Sequence, residues 1–552
     1  MIGLNKIGLN QVQLNRLRLN APFPAYGKMA GGGGSGDGFP QLPGDVTRWH
    51  FGGLTNEMMA AMDDPRLEDA DGKGRFLSFK NFAWKGMSGV GGYGDENYQT
   101  FYKFTLDDYV FIASPPSVKH MNFTFRVTGL RPGNKLTLAF FGTTNTVYGT
   151  WDKDGIYTVD ADIVEAGKPT YFYNGYGATR GEFTIEILPL YPGALVFDGV
   201  DDYGVCNNFP ILTKEKGYTV VALRQWIEEK NDSTALVSNC KNWNQDGAFL
   251  FEYNNLRINF LNVAISFGHV SSVDRGKSPF SYQTSKLYNG KNIEPGSLIG
   301  SNELIVGKGN KDFPTFSKAA IWELVFLDHD ATEEELTKIK DYFVKTYPWL
   351  FPDQAWIVVG KTNENEDRAT IANITGNGND LILSNFGFIE GSGYNDEGEC
   401  AGYLVTDGMD DYVRSSNDFT LGKKFTVVGE WELLDNTTVL SGIAKNVDFF
   451  LYSNINGLSF YCKQGNLPTV FNGIKSLTAF NSEGLAYDHK WEKYVCEKTG
   501  DEAPKTTRFI IGTNNNTFAK VAFKNMAMYA EKVLSKEDMI KAYIYLQTLK
   551  AK

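Results

Sequence analysis

Cysteine is scarce in this chain, and its residues are scattered. The five stand at Cys206, Cys240, Cys400, Cys462 and Cys496, an odd number without a CxxC pair. Disulfide frameworks and structural zinc sites use closely spaced, paired cysteines, so we expect neither. Isolated thiols of this kind are typical of reduced cysteines in a protein that is made in a cytosol without export.

Histidine is equally rare, and the motifs of several enzyme classes are missing. The five histidines are isolated, and the chain has no HExxH, HxH or GxSxG pattern. Those patterns gather the ligands of zinc hydrolases or mark the nucleophile of serine hydrolases. The glycine-rich stretches lack the GK[ST] step of a phosphate-binding loop. We therefore expect no catalytic residues, no resident metal and no cofactor.

Long apolar runs and basic blocks are also missing. No stretch reaches the 18 or more apolar residues of a membrane span. The N-terminus lacks the apolar core and small-residue cleavage site of a signal peptide. With 54 Lys and Arg against 65 Asp and Glu, the net charge is −11. Because such an acidic chain repels phosphate-rich surfaces, we expect no nucleic acid and no membrane among its partners.

Aromatic residues and glycine, by contrast, are abundant. Phe, Tyr and Trp make up 14% of the chain, and glycine accounts for 58 of its 552 residues. Aromatic strands punctuated by Gly and Asn are typical of all-β proteins. A chain of this length also exceeds one ordinary core. We therefore expect an all-β, multidomain protein.

A short acidic motif occurs twice. Each copy reads DGxDDY and is followed, after a gap, by an aromatic residue and Thr-Val-Val. The matched residues are Asp198, Gly199, Asp201, Asp202 and Tyr203 in the first copy, and Asp407, Gly408, Asp410, Asp411 and Tyr412 in the second. Self-similarity on this scale indicates a duplicated structural module.

The duplication extends to both sides of the motif. Each copy ends in a predicted strand, glycine turn, strand and short helix. The helix starts have capping-box patterns, at Thr332 with Glu335 and at Ser535 with Asp538. In such a box the hydroxyl accepts an otherwise unpaired backbone N–H. A related connector, beginning at Trp49 or Trp356, precedes each copy, so a block of connector plus sandwich occurs twice.

Only the first block contains an insert, and its strands alternate apolar with polar residues. The apolar positions are Phe123, Phe125 and Val127, then Leu136, Leu138 and Phe140, then Phe183, Ile185 and Ile187. Pro-Gly and Asp-Gly turns separate these runs. The pattern predicts a small antiparallel sandwich.

The repeated motif resembles the start of a known family of domains. DGxDDY followed by a Phe-Thr-Val strand is similar to the beginning of laminin-G/concanavalin A-like jelly-roll domains. The segment GNGNDLILSNF is similar to the one often found just ahead of them. The resemblance covers over half of the chain. The family holds lectins, adhesins, hydrolases and structural modules, so the resemblance implies a fold and not one activity.

With this resemblance, the expected fold is all-β and multidomain, with two concanavalin A-like jelly-roll sandwiches, a smaller β-sandwich insert and a short N-terminal pentad-repeat anchor. The expected divisions are the anchor at 1–30, a Gly-rich tether at 31–48, connector repeat 1 at 49–97, the small β-sandwich at 98–192, the first jelly-roll domain at 193–352, connector repeat 2 at 353–399 and the second jelly-roll domain at 400–552.

A second resemblance concerns the biological setting. GKTNENEDRATIANITGNGNDLILSNF and LVFDGVDDYGVCNNFPILTKEKGYTV are similar to segments of structural proteins from phages and prophages of gut Bacteroides-like bacteria, including crAss-like phages. This resemblance implies a non-enzymatic virion surface protein (head fibre, capsid decoration or tail-associated) made in the bacterial cytoplasm. Such a protein would contact capsid or tail proteins and display lectin-like sandwiches to host-surface polysaccharide. The alternative is a bacterial surface glycan-binding protein or a degraded glycoside hydrolase, which requires export.

Two acidic strings outside the repeated motif offer competing chemistry. The string from Glu430 through Glu432 to Asp435 is nearest to the ExDxxE motif of jelly-roll glucanases, but its order is wrong. We favour an exposed strand edge that runs into a turn. Asp152 and Asp154 in WDKDG begin like a calcium loop but lack its downstream Glu. Here we favour a hairpin turn and keep calcium as the alternative.

The DGxDDY carboxylates are candidate metal ligands or sugar contacts, and they also suit a purely structural role. Gly199 and Gly408 permit a tight bend, and the aspartates can cap its backbone N–H groups. Tyr203 and Tyr412 would then begin the next strand. We favour the structural role.

Glycan binding is the remaining activity to consider. Sugar sites combine aromatic rings with polar side chains that bond hydroxyls. The loop candidates are Trp243, Tyr282, Tyr288, Trp491 and Tyr494. In a chain so rich in aromatics, we favour a core position for each and keep ligand contact as the alternative.

The first twenty residues form four pentads, MIGLN, KIGLN, QVQLN and RLRLN. Apolar residues spaced by two fall on one face of a strand, and the fifth-position Asn tolerates a left-handed corner. Four pentads are too few to bury their own core. Their apolar residues are therefore predicted to form an assembly anchor against identical chains or a virion partner: Ile2, Leu4, Ile7, Leu9, Val12, Leu14, Leu17 and Leu19.

Overall fold

A computed structural model describes most of the chain. The described residues are 38–93, 101–104, 109–112, 120–131, 133–140, 146–162, 170–174, 183–213, 215–228, 234–239, 249–252, 278–292, 300–309, 315–395, 400–434, 441–445, 449–454, 457–462, 469–472, 476–495, 508–514 and 517–549. The predicted anchor pentads and Trp243 lie outside them. The chain divides into two compact units, the first formed by residues 1–82, 197–273 and 280–342, and the second by residues 83–196, 274–279 and 343–552.

Short strands dominate the described residues. In and before the insert they are β1 (Val46–His50), β2 (Arg66–Glu68), β3 (Phe76–Lys80), β4 (Gly89–Val90), β5 (Phe101–Phe104), β6 (Tyr109–Ile112), β7 (His120–Thr128), β8 (Leu136–Phe140), β9 (Thr146–Trp151), β10 (Gly155–Asp162), β11 (Thr170–Asn174) and β12 (Phe183–Leu188). Between the insert and the first long helix they are β13 (Leu195–Asp198), β14 (Tyr203–Cys206), β15 (Thr219–Glu228), β16 (Val237–Ser238), β17 (Leu250–Phe251), β18 (Phe280–Thr284), β19 (Leu287–Tyr288), β20 (Lys291–Asn292), β21 (Leu304–Val306) and β22 (Lys318–Leu327).

The remaining strands belong to the second block. They are β23 (Gln354–Trp356), β24 (Thr370–Ile371), β25 (Leu381–Ser384), β26 (Gly393–Asn395), β27 (Tyr403–Val405), β28 (Tyr412–Ser415), β29 (Phe425–Leu433), β30 (Ser441–Lys445), β31 (Phe449–Asn454), β32 (Gly457–Cys462), β33 (Thr469–Asn472), β34 (Ser476–Asn481), β35 (Leu485–Tyr487), β36 (Lys493–Val495), β37 (Ile510–Ile511), β38 (Thr513–Asn514), β39 (Thr517–Phe518) and β40 (Val521–Ala530). The all-β, multidomain prediction is confirmed.

Helices are few in the part of the chain that the structure describes. They are α1 (Asn56–Ala60), α2 (Glu333–Thr346), a 3₁₀ helix (Pro348–Leu350) and α3 (Lys536–Gln547). Both predicted capping boxes are confirmed. The hydroxyl of Thr332 accepts the N–H of Glu335 (3.3 Å), and that of Ser535 accepts the N–H of Asp538 (3.1 Å). None of these described helices combines the length and apolar character needed to cross a bilayer.

Two antiparallel sheets form the sandwich of the first unit. One includes β20-β19-β18-β15-β22 in that order, with β1 paired to β22. The other has the order β17-β16-β21-β14-β3-β2. Aromatic rings from both sheets meet in its core, where Phe249, beside β17, stacks on Phe326 of β22. Strands β2 and β3 and the end of β1 come from connector repeat 1, so this connector contributes to both sheets of the sandwich.

The second block repeats this arrangement. One of its sheets has the order β26-β27-β40-β29-β34-β35-β36, with β23 paired to β40, and the other has the order β24-β25-β28-β37-β30-β31-β32-β33. Apolar side chains of both sheets form one core, in which Trp356, Val413, Trp431 and Ile511 are buried. The pairing of β1 with β22 in the first block corresponds to that of β23 with β40 in the second.

The insert forms a small sandwich of two four-stranded sheets, β10-β7-β12-β5 and β6-β11-β8-β9. The predicted alternation is confirmed, because side chains such as Phe125, Leu138 and Ile185 are fully buried between them. The hairpin predicted at WDKDG is wrong, since β9 and β10 belong to different sheets. The segment instead crosses between the sheets, and the Asp154 carboxylate accepts the N–H groups of Gly129 (2.8 Å) and Leu130 (2.7 Å).

Equivalent positions on the two long strands tie each connector to its helix. Glu323 of β22 is fully buried and contacts the ring nitrogen of His50 (2.9 Å) and the hydroxyl of Tyr342 (3.1 Å). Asn525 holds the matching position on β40. It accepts two N–H groups of connector repeat 2 and donates to a carbonyl of α3. A buried polar residue thus joins three segments in each block.

Two carboxylates of the first unit have lowered pKa values. Burial alone would raise the pKa of Asp45, but hydrogen bonds from Arg75 and Lys73 lower it below its ordinary value. Burial would likewise raise the pKa of Glu335, and its bonds to Thr332 and His329 lower it. Both groups are therefore stabilised in the folded state as carboxylates.

Candidate functional site

The two DGxDDY motifs form equivalent tight bends. Gly199 and Gly408 have φ values of 77° and 80°, in the left-handed region that favours glycine. The carboxylate of Asp198 accepts the N–H of Val200, and that of Asp407 accepts the N–H of Met409, both at 2.7 Å. The motif tyrosines begin β14 and β28. The first aspartate of each motif therefore closes the bend.

The same motifs contain the described acidic clusters that could hold a cation. Asp198, Asp201 and Asp202 place one oxygen each within 4.8 Å of the others, as do the three aspartates of the second copy. The last aspartate already accepts the N–H of the first, at 3.1 Å in the first copy and 2.9 Å in the second. Burial, followed by the nearby carboxylates of Asp407 and Asp410, raises the pKa of Asp411. Metal binding at these turns stays a prediction, as does calcium binding at Asp152 and Asp154.

Two predicted sugar-stacking residues have no free ring face. Tyr288 is 2% exposed, and its hydroxyl donates to the buried carboxylate of Glu252 (3.2 Å). Trp491 is 3% exposed and packs against Tyr487 and Tyr543. Because stacking on a sugar requires an open ring face, the alternative of a stacking role is wrong for both residues. Their favoured core position agrees with the structure.

The two other described candidates are Tyr282 and Tyr494. Tyr282 is half-buried in the first unit, whereas Tyr494 is half-buried in the second. The hydroxyl of Tyr494 donates to Glu492 (3.1 Å) and lies 3.3 Å from Asp488. These two candidates therefore belong to different units.

A cleft of about 380 Å³ lies in the second unit, between the insert sandwich and the C-terminal sandwich. Four segments line it, namely residues 126–128 at the end of β7, residues 154–156 at the start of β10, residues 490–492 before β36, and Lys536, Glu537 and Ile540 at the start of α3. Its lining alternates charged side chains with Val127, Ile156 and Ile540. This is the candidate functional site.

Glycine at position 155 permits close approach at the floor of the cleft. A Cβ atom built there would lie 2.8 Å from the carbonyl oxygen of Lys490. Real Cβ atoms do not approach a backbone oxygen this closely, so a larger residue would clash with the facing segment across the cleft. Trp491, in the facing segment, has a φ of 62°, which turns the chain sharply beside this contact.

Ion pairs cross the cleft between the two sandwiches. The guanidinium of Arg126 donates to both carboxylate oxygens of Glu537 (2.9 and 3.1 Å) and to Glu186 (3.0 Å). The ammonium of Lys153 donates to Glu492 (3.4 Å). The carboxylates that line the cleft are therefore engaged by protein donors.

The lysines of the cleft are in a different situation. Lys536 donates to the carbonyl of Trp491 (3.2 Å), and burial, followed by the nearby guanidinium of Arg126, lowers its pKa. Among the described residues, neither Lys536 nor Lys490 makes an ion pair within 4.0 Å. Both lysines thus line the cleft without a carboxylate partner among the described residues.

The sequence patterns mark only one of the four segments that line this cleft. The segment HKWEKY was singled out for Trp491 and Tyr494, and it contributes residues 490–492. Arg126, Lys536 and Glu537 carried no motif that could have marked them. They meet there because the insert packs on the second block, which is distant in sequence. The Asp154-Gly155 step is the only local pattern that indicates a close approach between two segments of the chain.

The string around Glu430 is not at an exposed strand edge, so that prediction is wrong. It lies on β29, which is hydrogen-bonded to β34 on one side and β40 on the other. Glu430 is covered by α3 and accepts hydrogen bonds from the hydroxyls of Tyr403 (2.6 Å) and Tyr543 (2.5 Å). Both oxygens of this carboxylate are therefore held by tyrosines.

Comparison with known proteins gives no family assignment. No family model matches the chain, and no curated protein matches it. Among solved structures, a Trypanosoma rangeli sialidase in complex with sialic acid matches 76% of this chain and 78% of its own, at 11% identity and a TM-score of 0.25. The binding domain of Paraclostridial Mosquitocidal Protein 1 matches 34% of this chain and 52% of its own, at 11% identity and a TM-score of 0.23.

TM-scores of this size do not establish a shared fold, and these matches carry no argument about activity. The chain spans about half the length of the toxin binding domain that it matches. The class that the structure itself defines is an all-β, multidomain protein with a polar cleft between two sandwiches of its second unit.

Proposed function

We propose that this protein is a non-enzymatic component of a virion surface that binds host-surface polysaccharide through the cleft of its second unit. The N-terminal pentads would attach it to a capsid or tail protein, and the sandwiches would project outward. The resemblance of its repeated motifs to jelly-roll domains and to phage structural proteins supports this setting. The observation that carries the binding role is the cleft itself.

The lining of the cleft suits a sugar. A pyranose ring offers hydroxyls at its rim and apolar C–H faces, and sites that hold such ligands place a few polar groups among apolar ones. Here Arg126, Lys490 and Glu492 supply donors and acceptors, whereas the apolar residues Val127 and Ile540 are buried among the lining segments. Two sandwiches contribute to the lining, so a bound sugar would contact both.

The state of the carboxylates supports binding without hydrolysis. Glycoside hydrolysis needs two carboxyl groups placed on either side of the scissile bond. In this cleft, Asp154 is bonded to two backbone N–H groups, Glu537 to Arg126, and Glu492 to Lys153. Each carboxylate thus has a structural partner that a catalytic acid or base would have to give up.

A glycan array probed with the full chain tests the binding role. We expect binding to a narrow set of bacterial surface polysaccharides, and a Gly155→Val variant, which narrows the cleft, should lose most of that signal. The exposed Asn377→Ala variant serves as the control and should bind like the unchanged chain. Absence of binding across the array, or full binding by Gly155→Val, would contradict the proposal.

The attachment role has a separate test. A chain without residues 1–38 should fold but fail to enter particles when it replaces the full chain during infection. Incorporation at the normal level would show that the pentads are not the anchor. This result would leave the binding role of the cleft unaffected.

A further inference from the structure

Three cationic side chains from three different segments converge on the cleft of the second unit. Arg126 comes from β7, Lys490 from the segment before β36, and Lys536 from the first turn of α3. The insert therefore supplies one of the cations and the C-terminal sandwich two. The lining also holds three acidic residues, Asp154, Glu492 and Glu537, so its formal charges balance.

The acidic residues around the cleft are engaged by groups other than Lys490 and Lys536. Arg126 is paired with Glu537 and Glu186, and Glu492 is paired with Lys153. The carboxylate of Asp154 is turned to the N–H groups at the end of β7. Lys490 and Lys536 are left without a carboxylate partner among the described residues.

Lys536 is the more constrained of these two lysines. Its ammonium is 3.2 Å from the carbonyl oxygen of Trp491 and lies over the ring of Tyr487, 5.3 Å from the ring centre. Partial burial and the nearby guanidinium of Arg126 lower its pKa. A cation beside another cation is stabilised when an anion binds next to it, and Lys536 is exposed and open to such an anion.

We propose that the cleft takes an anionic sugar unit, with the ammonium groups of Lys490 and Lys536 binding its carboxylate or sulfate. This inference rests on the proposed polysaccharide-binding function and names the class of sugar. Hydrogen bonds between an ammonium and an anionic oxygen are the strong, charge-assisted kind. The two lysines would select for charge.

The test uses calorimetric titration of the full chain with three matched oligosaccharides of equal length. They are an oligogalacturonate, the corresponding neutral oligogalactose and a sulfated oligogalactose. We expect at least one anionic form to bind about tenfold or more tightly than the neutral form, as one charge-assisted bond predicts. We also expect this preference to shrink between low salt and 0.5 M NaCl, because salt screens charge interactions.

Variants locate the charge preference in the structure. Lys490→Gln and Lys536→Gln should each weaken anionic binding about tenfold while leaving the weaker neutral binding unchanged. Lys536→Arg keeps the charge and should retain the preference. Lys424→Gln makes the same charge change at an exposed position outside the cleft lining and should have no effect. Thermal unfolding of each variant shows whether it is folded.

The outcomes separate this inference from the proposed function. Equal binding of neutral and anionic oligosaccharides would overturn the charge preference and leave polysaccharide binding intact. A charge preference that survives both glutamine substitutions in folded protein would also overturn the role of the two lysines. If none of the three oligosaccharides binds, and the glycan array is blank as well, both proposals fall.

Discussion

Replacing Asn525 with alanine should destabilise the second unit where the connector joins the sandwich. Asn525 is 1% exposed. Its side-chain oxygen accepts the N–H groups of Val358 (2.8 Å) and Val359 (3.0 Å), and its nitrogen donates to the carbonyl of Leu546 (2.7 Å). Alanine removes these bonds, together with a longer one to the carbonyl of Leu549 (3.5 Å), and leaves the polar groups of the connector without their partner.

The size of the destabilisation depends on which polar groups lose their only hydrogen-bond partner. A buried donor left unpaired costs about 1–3 kcal/mol. The carbonyl of Leu546 also accepts the N–H of Leu549 (3.3 Å), so it keeps a partner without Asn525, and the loss of this bond costs less free energy. The two N–H groups of the connector therefore dominate, and we expect a loss of about 3 kcal/mol. This corresponds to a roughly 100-fold larger equilibrium constant for opening of the connector.

Hydrogen exchange followed by mass spectrometry measures this effect locally. Peptides covering residues 356–360 should exchange roughly 100-fold faster in Asn525→Ala, with a matching shift in urea unfolding of the full chain. The control is Asn377→Ala. This exposed asparagine makes one side-chain bond, to the carbonyl of Asp353, and its loss should leave the exchange unchanged. Equal exchange in Asn525→Ala and the unchanged chain would refute the reasoning.

Three further predictions concern acid, thiol chemistry and close packing. The pKa values of Asp45 and Glu335 in the folded state lie below their ordinary values of 3.8 and 4.5. The stability that these carboxylates contribute is therefore present above the ordinary pKa values and is lost as the pH falls through the folded-state pKa values. The urea midpoint of the first unit should drop in strong acid, and a rise would contradict this prediction. Burial raises the pKa of the Cys206 thiol to about 11. Iodoacetamide at pH 8 should therefore label Cys206 only after the protein unfolds. Rapid labelling of Cys206 in the folded protein would contradict this prediction. A Cβ atom at position 155 would lie 2.8 Å from the carbonyl oxygen of Lys490. Gly155→Val should therefore lower the unfolding free energy of the second unit by about 1–3 kcal/mol, as measured by calorimetry. An unchanged unfolding transition would contradict this prediction.

The features that the sequence predicts well are local ones. The alternation of Phe123, Phe125 and Val127 places these side chains on one face of a strand, whatever its neighbours are. The capping boxes at Thr332 and Ser535 need residues only three positions apart. Such patterns are complete within a few residues, so the structure could confirm them one by one.

The features that were mispredicted depend on which strands are neighbours. WDKDG reads as a hairpin turn, but β9 and β10 enter different sheets. The strand containing Glu430 reads as an edge, but β40 pairs with its second side. The cleft was missed for the same reason, because Arg126 and Lys536 meet only when the insert packs on a block more than three hundred residues further along the chain. No periodicity encodes this packing.

Incubation of the full chain with the polysaccharide that it binds best on the array is the most direct test of binding without hydrolysis. A single sample can report both the binding isotherm and, after prolonged incubation, the polysaccharide length by light scattering. We predict saturable binding that Gly155→Val abolishes, and an unchanged polysaccharide length. Shortening of the polysaccharide that one carboxylate substitution stops, or binding that is unaffected when the cleft is narrowed, would contradict the central claim.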